Sequence, residues 1–205
     1  MMTTAPQLIL ASQSPRRRYL LEQAGLTFNV IPSSFDEDSV QIADPADYVK
    51  ILAESKADAV AGAYPGSWVI GADTVVTIHK TILGKPADPV QARQMLIQLS
   101  GQSHAVFTGY AIVCKRRQIC ISQSIKTDVQ FKALTADEID WYIQTGEPFD
   151  KAGAYAIQGL GTFLVRRING SYTNVVGLPV CEVVETLLRL GVVSMNTDPK
   201  KGRFL

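Results

Sequence analysis

"LASQSPRRRYLLEQAG", residues 10–25, reads as the end of a strand, a sharp turn and a short helix. Ser14 suits an N-cap, Pro15 the first helical position and Gly25 the residue just past the last turn. A strand that runs directly into a helix is the unit of mixed α/β folds, and the same alternation recurs along the chain. One feature of the helix is at odds with its own electrostatics. A helix N-terminus carries roughly half a positive charge and favours Asp or Glu, yet Arg16, Arg17 and Arg18 fill this first turn.

Working outward, "QLILAS" before the turn is a short apolar strand, and "FNVIPSS" is a second one ending in the acidic stretch "FDEDS". "DPADYVKILAESKADAVAGA" opens with Asp44 as cap and Pro45 in the first turn, and repeats apolar residues at Val49, Leu52, Ala53, Ala57 and Val60, the period of an amphipathic helix. "SWVIGADTVVTI" is a long apolar strand interrupted by Gly, Ala and Asp; the turn "LGKPAD" follows, then the Asp-Pro-capped helix "DPVQARQMLIQLSG". "HAVFTGYAIVCKRRQICISQSIKTDVQFKAL" predicts two strands joined as a hairpin around "KRRQ". In "TADEIDWYIQTG", Thr135 and Glu138 have capping-box spacing and Gly146 stops a short helix. "EPFDKAGAYAIQGLG" reads as a structured loop, "TFLVRRING" as a strand reaching an Asn-Gly turn, and "LPVCEVVETLLRLG" as a helix opened by Pro179 and closed by Gly191. No repeat or linker divides the chain.

The 205 residues, 46% of them hydrophobic, are enough to fill one core. Twenty Lys plus Arg against nineteen Asp plus Glu leave a net charge of +1, so no global basic field recruits nucleic acid. Any anion site must be local. Cys114, Cys120 and Cys181 show no CxxC pairing and are odd in number, which argues for buried thiols in a reducing compartment rather than disulfides or zinc. No apolar run reaches the roughly 18 residues of a membrane span, and "MMTTAPQLILAS" lacks a basic segment before its short apolar stretch, so a cytoplasmic protein is expected.

Several residues break local rules. Asp73 lies inside the apolar "VIGADTVV", where a charge needs a partner unless Gly71 and Ala72 end the strand and Asp73 caps a turn. Lys56 falls within the apolar stripe of its helix, either snorkelling outward or facing an anionic ligand. Glu37 in "FDEDS" fits a solvated acidic turn, and Lys85 in "GKPAD" a surface loop. His79 and His104 are isolated, as surface or satisfied histidines are, and do not suggest a zinc hydrolase. "GKP" lacks Walker-loop spacing, and the glycines of "DKAGAYAIQGLG" do not match a dinucleotide fingerprint. Together, however, the cations Arg16, Arg17, Lys56, Lys85 and Lys151 could surround phosphates while Glu37 and Asp73 hold a divalent metal. A polyphosphate at the helix N-terminus would receive backbone N–H groups and arginine forks, and would offset the charge that three arginines add to the dipole.

The ordered motifs "LASQSPRRRYLL", "ESKA", "VIGADTVV", "LGKPAD", "LSGQSHAVFTG", "EPFDKAGAYAIQGLG" and "INGSYTNVVGLP" resemble those of the Maf nucleoside triphosphate pyrophosphatases, nearly throughout the chain to about residue 191. The resemblance implies a mixed α/β fold of the Maf/ITPase kind, two lobes around an extended twisted β-sheet with an active-site cleft between them. It implies one catalytic domain over residues 1–191, leaving 192–205 as a polar tail. It implies release of pyrophosphate from a nucleoside triphosphate with Mg2+ or Mn2+, no nucleic-acid or membrane partner, and leaves room for a homodimer. Carried over by motif, Ser12, Arg16, Arg17, Lys56, Lys85 and Lys151 would bind substrate; Glu37 and Asp73 would hold metal, with Asp73 also the general base. "DKAGAYAIQG" looks like the dTTP/UTP subgroup, with Arg16, Thr74 and Gln158 at the discriminating positions. The alternatives are the same chemistry on 7-methyl-GTP or another noncanonical nucleotide, and a nonenzymatic nucleotide-binding regulator of cell division. If Lys56 faces the triphosphate, Lys56→Met is expected to hold or raise stability while abolishing activity.

Overall fold

The structure is a computed structural model that describes residues 7–41 and 44–195. From residue 196 on, the expected polar tail lies outside the described residues. Helices and strands alternate as the sequence predicts. Strand β1 (Leu8–Leu10) leads into helix α1 (Pro15–Gln23), then β2 (Asn29–Val30) and α2 (Pro45–Ala63). Strands β3 (Trp68–Ile78) and β4 (Thr81–Leu83) precede α3 (Pro89–Leu99). The long strands β5 (Ser103–Cys114) and β6 (Ile119–Phe131) follow, then α4 (Ala136–Gln144), β7 (Val165–Asn169), α5 (Tyr172–Val176) and α6 (Val180–Arg189). The strands make one seven-stranded sheet in the order β2-β1-β3-β5-β6-β7, with β4 paired to β3. It is mixed: β1 is parallel to β2 and β3, whereas the β3–β4 and β6–β7 pairs are antiparallel.

The caps form as read. Ser14 Oγ accepts from Arg17 N at 3.4 Å, Asp44 Oδ1 from Ala46 N at 2.9 Å and Asp88 Oδ1 from Gln91 N at 2.7 Å. Thr135 and Glu138 close a reciprocal capping box. The long apolar strand forms as one element from Trp68 to Ile78, without a break at Gly71–Asp73. Four readings need correction. β2 is two residues rather than the length of "FNVIPSS", and β4 was not expected. α5, after Gly170, was not expected either. The cysteines are buried only at Cys114; Cys120 and Cys181 are exposed.

The chain forms two compact units. One draws on the chain up to Asp73, on Thr108–Ser124 and on the chain from Gly177. Its core joins Ile9, Val69 and Val113 to Ala53, Ala57 and Val60 of α2. Here α2 lies unusually close to the strands. A Cβ on Gly71 would stand 2.1 Å from the carbonyl oxygen of Ala53 and 2.7 Å from Ala57 N, and one on Gly109 2.2 Å from the carbonyl oxygen of Val49. The other unit, Thr74–Phe107 with Ile125–Val176, packs Leu96 and Leu99 of α3, Ile139 and Tyr142 of α4, and Phe131, Tyr155 and Leu164. No helix of the described residues is long and apolar enough to cross a membrane.

Candidate active site

The close seating of α2 decides what Asp73 meets. Residues 71 and 73 of a strand share a face, and residues 53, 56 and 57 share a helix face. With Ala53 and Ala57 against Gly71, Lys56 is delivered to Asp73. Lys56 Nζ donates to Asp73 Oδ1 at 2.7 Å, with both side chains about nine-tenths buried (10% and 11% exposed), and lies 2.8 Å from Glu37 Oε1. The turn-capping alternative for Asp73 and the snorkelling alternative for Lys56 are both excluded by this pair. Glu37 keeps a half-exposed side chain, yet it is tied into the ion cluster rather than solvated alone.

The arginine turn adjoins the same charges. Ser12 Oγ accepts from Ser14 N at 3.2 Å and from Arg17 Nη1 at 3.3 Å, while Arg17 Nε donates to the Gly177 carbonyl at 2.8 Å. Burial lowers the Arg17 pKa from the usual arginine value; Asp73 and Glu37 pull it back up and Arg16 pushes it further down. Arg17 therefore senses both carboxylates and its neighbouring cation. Arg18 faces elsewhere, on Glu22 at 2.7 Å on the exposed side of α1.

Glu37 and Asp73 present hard oxygen donors converging on one point, now the Lys56 ammonium. That donor set suits Mg2+ or Mn2+, which take one or two carboxylates and complete their shells with phosphate oxygens and water. Among the described residues no group of three or more His, Cys, Asp or Glu is placed to hold a metal.

In the second unit Thr74 is half-buried on β3 and Lys85 is exposed after β4. Gly153 N donates to the Gly84 carbonyl at 3.0 Å, which joins the loops that carry Lys85 and Lys151. Lys151 is engaged locally, with Nζ 2.8 Å from the Glu147 carbonyl and in an ion pair with Asp150. Gln158 is half-buried, makes no side-chain capping bond to the following 3-10 turn, and borders an open cavity of about 540 Å3 with Ile157, Thr162, Val165 and Tyr172. His104 is buried with Nε2 2.8 Å from the Tyr155 hydroxyl and Nδ1 without a partner, so it is only half satisfied. Sequence reasoning missed the Gly177 carbonyl, a backbone group with no side-chain signature, and the pair Tyr142 and Glu147, whose further partners are the backbone amides of Ala156, Leu160 and Gly161.

Residues 7–190 match the family described as Maf-like protein. The chain belongs to the Maf family. Curated relatives of this Maf chain carry the name dTTP/UTP pyrophosphatase. One from Syntrophus aciditrophicus (strain SB) is 48% identical over 94% of this chain and 94% of its own length. One from Geobacter sp. (strain M21) is 50% identical over 91% and 96%, and one from Geobacter sulfurreducens 49% identical over 91% and 98%. Among solved structures, a HAM1 protein from Coxiella burnetii is similar over 62% of this chain and 73% of its own, at a TM-score of 0.40 and 16% identity.

Proposed function

We infer that this Maf protein is a nucleoside triphosphate pyrophosphatase that converts dTTP and UTP to the monophosphate and pyrophosphate. The observation that supports it best is the buried Lys56–Asp73 pair shared with Glu37, in a chain about half identical to proteins bearing that name. In this reading a water oxygen attacks the α-phosphorus, the bond from that phosphorus to the α,β-bridging oxygen breaks, and the electron pair leaves with pyrophosphate. Asp73 accepts the water proton. Ser12, Arg16, Arg17, Lys56 and Lys85 supply donors and positive charge to the triphosphate, with α1 contributing its N-terminal amides. Lys151, bonded to the Glu147 carbonyl and paired with Asp150, is the remaining cation assigned to the triphosphate. Glu37 and Asp73 would hold Mg2+ or Mn2+, and such an ion supplies charge neutralisation at phosphate and a more acidic water. Thr74, Arg16 and Gln158 select the base: a glutamine amide has both a donor and an acceptor for the N3–H and carbonyl edge of uracil or thymine.

Product analysis by 31P NMR tests the reading. UTP and dTTP should give monophosphate and pyrophosphate in the presence of Mg2+ or Mn2+ and little product after chelation. Orthophosphate with a diphosphate as first products would overturn it, and faster hydrolysis of 7-methyl-GTP would overturn the pyrimidine assignment.

A further inference from the structure

Gln158 lies at the middle of a six-residue segment, 156–161, that two side chains pin at both ends. Tyr142, fully buried on α4, donates its hydroxyl proton to Glu147 Oε1 at 2.8 Å and accepts at the same oxygen from Ala156 N at 3.1 Å. The Glu147 carboxylate then accepts from Gly161 N at 2.9 Å through Oε1 and from Leu160 N at 3.0 Å through Oε2. One phenol and one carboxylate thus fix the backbone two residues before Gln158 and two and three residues after it.

Two glycines make room for this brace. A Cβ on Gly159, whose φ is +74°, would stand 2.6 Å from Glu147 Oε2, and one on Gly161 2.6 Å from the Tyr142 hydroxyl. The Thr162 hydroxyl adds a bond to the Gly159 carbonyl at 2.6 Å. Burial raises the Glu147 pKa, but the bonds from Gly161 N, Leu160 N and the Tyr142 hydroxyl and the nearby Lys151 charge outweigh it, so the pKa ends below the usual carboxylate value. The acceptor therefore stays ionised at neutral pH.

A flexible glutamine discriminates poorly, because its amide can follow whichever base edge arrives; held at a fixed place, it leaves a mismatched base with unpaired groups. We propose that Tyr142 and Glu147 are positioning residues for base selection, acting through the 156–161 segment to fix where Gln158 meets the nucleobase. The proposal rests on the pyrimidine reading above and extends it to two residues outside the set assigned to the triphosphate.

The test uses the full chain as wild type, Glu147→Gln, Tyr142→Phe, Gln158→Ala and Glu147→Gln/Gln158→Ala. Steady-state kinetics with UTP, dTTP and GTP are read beside amide hydrogen exchange at Ala156, Leu160 and Gly161. Glu147→Gln keeps the shape but turns an N–H2 group toward amides that need an acceptor. The ratio of kcat/KM for UTP to that for GTP should fall at least about fivefold in Glu147→Gln, mainly through a higher KM for UTP. Exchange should quicken at Leu160 and Gly161. Tyr142→Phe should loosen Ala156 and lower the same ratio, which keeps the test open if one variant folds poorly. In the Gln158→Ala background, Glu147→Gln should change the ratio by less than about twofold, because both substitutions act through one contact. A merely structural brace predicts something else: equal loss on all nucleotides, an unchanged ratio despite faster exchange, or independent effects in the double variant. Any of these overturns the proposal. A wild type that does not prefer UTP to GTP overturns the pyrimidine reading itself, and the proposal with it.

Discussion

At the scale of single residues, the ammonium of Lys56 bonds to Asp73 and Glu37, and this changes what its removal should do. The sequence alone favoured a stable but inactive Lys56→Met. Because Asp73 is buried against that ammonium, the substitution leaves a carboxylate uncompensated, and breaking a buried pair costs about 3 kcal/mol or more. Urea denaturation should therefore show Lys56→Met less stable than wild type, with Lys56→Met/Asp73→Asn recovering part of the loss; a stability equal to wild type would mean that the pair carries no net weight. Asp73→Asn alone should lower turnover at least about 100-fold on UTP with the fold intact, the scale of general acid–base catalysis. Turnover within a few-fold of wild type would remove Asp73 from the chemistry. Asp73 was legible because a charge in an apolar strand demands a partner. Its partner was not, since nothing in "VIGADTVV" says which of the chain's lysines comes near. Glu147 was less legible still: "EPFDK" is an ordinary loop sequence, and two of its acceptor bonds go to backbone amides.

Among the elements, α2 and β3 set the site because a helix backbone touches a strand backbone at Gly71. Gly71→Ala would push a methyl group into the Ala53 carbonyl, a contact that neither main chain can give way to cheaply, so a loss of about 3 kcal/mol or more is expected, together with reduced activity as Lys56 moves off Asp73. Gly62, on the exposed side of the same helix with nothing within 4 Å of its Cβ position, is the matched control. Gly62→Ala should raise stability by about 0.5 to 1 kcal/mol through helix propensity and leave kcat unchanged. Thermal melts of the two variants check both signs. Most elements were readable because caps and periodicity are local. β4 was not, as its turn places His79 and Lys80 at φ +48° and +67°, where a hairpin usually signals itself with Asn or Gly. The Asn169–Gly170 turn ends β7: Gly170 takes a positive φ of 130° and leads into α5, and its missing Cβ leaves space for Thr127 Oγ1, 2.8 Å from where that Cβ would be.

Over the whole molecule, the strand order and the assembly of one unit from three separated chain segments depend on pairings that no local pattern encodes, although the alternation of elements did predict the α/β class. Stability against pH is likewise a property of the whole chain, since a net charge of +1 leaves individual buried groups to set it. On the acid side the first such group is His104. Burial lowers its pKa from 6.5 to about 4 despite the opposing charge of Asp128, with Phe131 and Tyr155 edge-on to the ring. Between these values the unfolded chain binds a proton that the folded chain refuses. Stability should thus be complete above pH 6.5 and fall as pH drops toward 4, by an amount of the order of 3 kcal/mol. Glu147 acts lower: its depressed pKa contributes stability above the ordinary carboxylate value and loses it only as pH falls through the folded value. On the alkaline side burial raises the pKa values of Tyr110, Tyr142 and Tyr155, so these phenols cost stability once pH passes about 10, where they ionise in the unfolded chain. Urea midpoints of wild type and His104→Gln between pH 7.5 and pH 4.5 separate these terms. Glutamine cannot titrate, so the variant should start lower at pH 7.5 for its imperfect fit beside Tyr155 but show a clearly flatter decline across the window. Parallel curves would mean that His104 accepts its proton in the folded state as readily as in the unfolded one, and that carboxylates alone drive the acid transition.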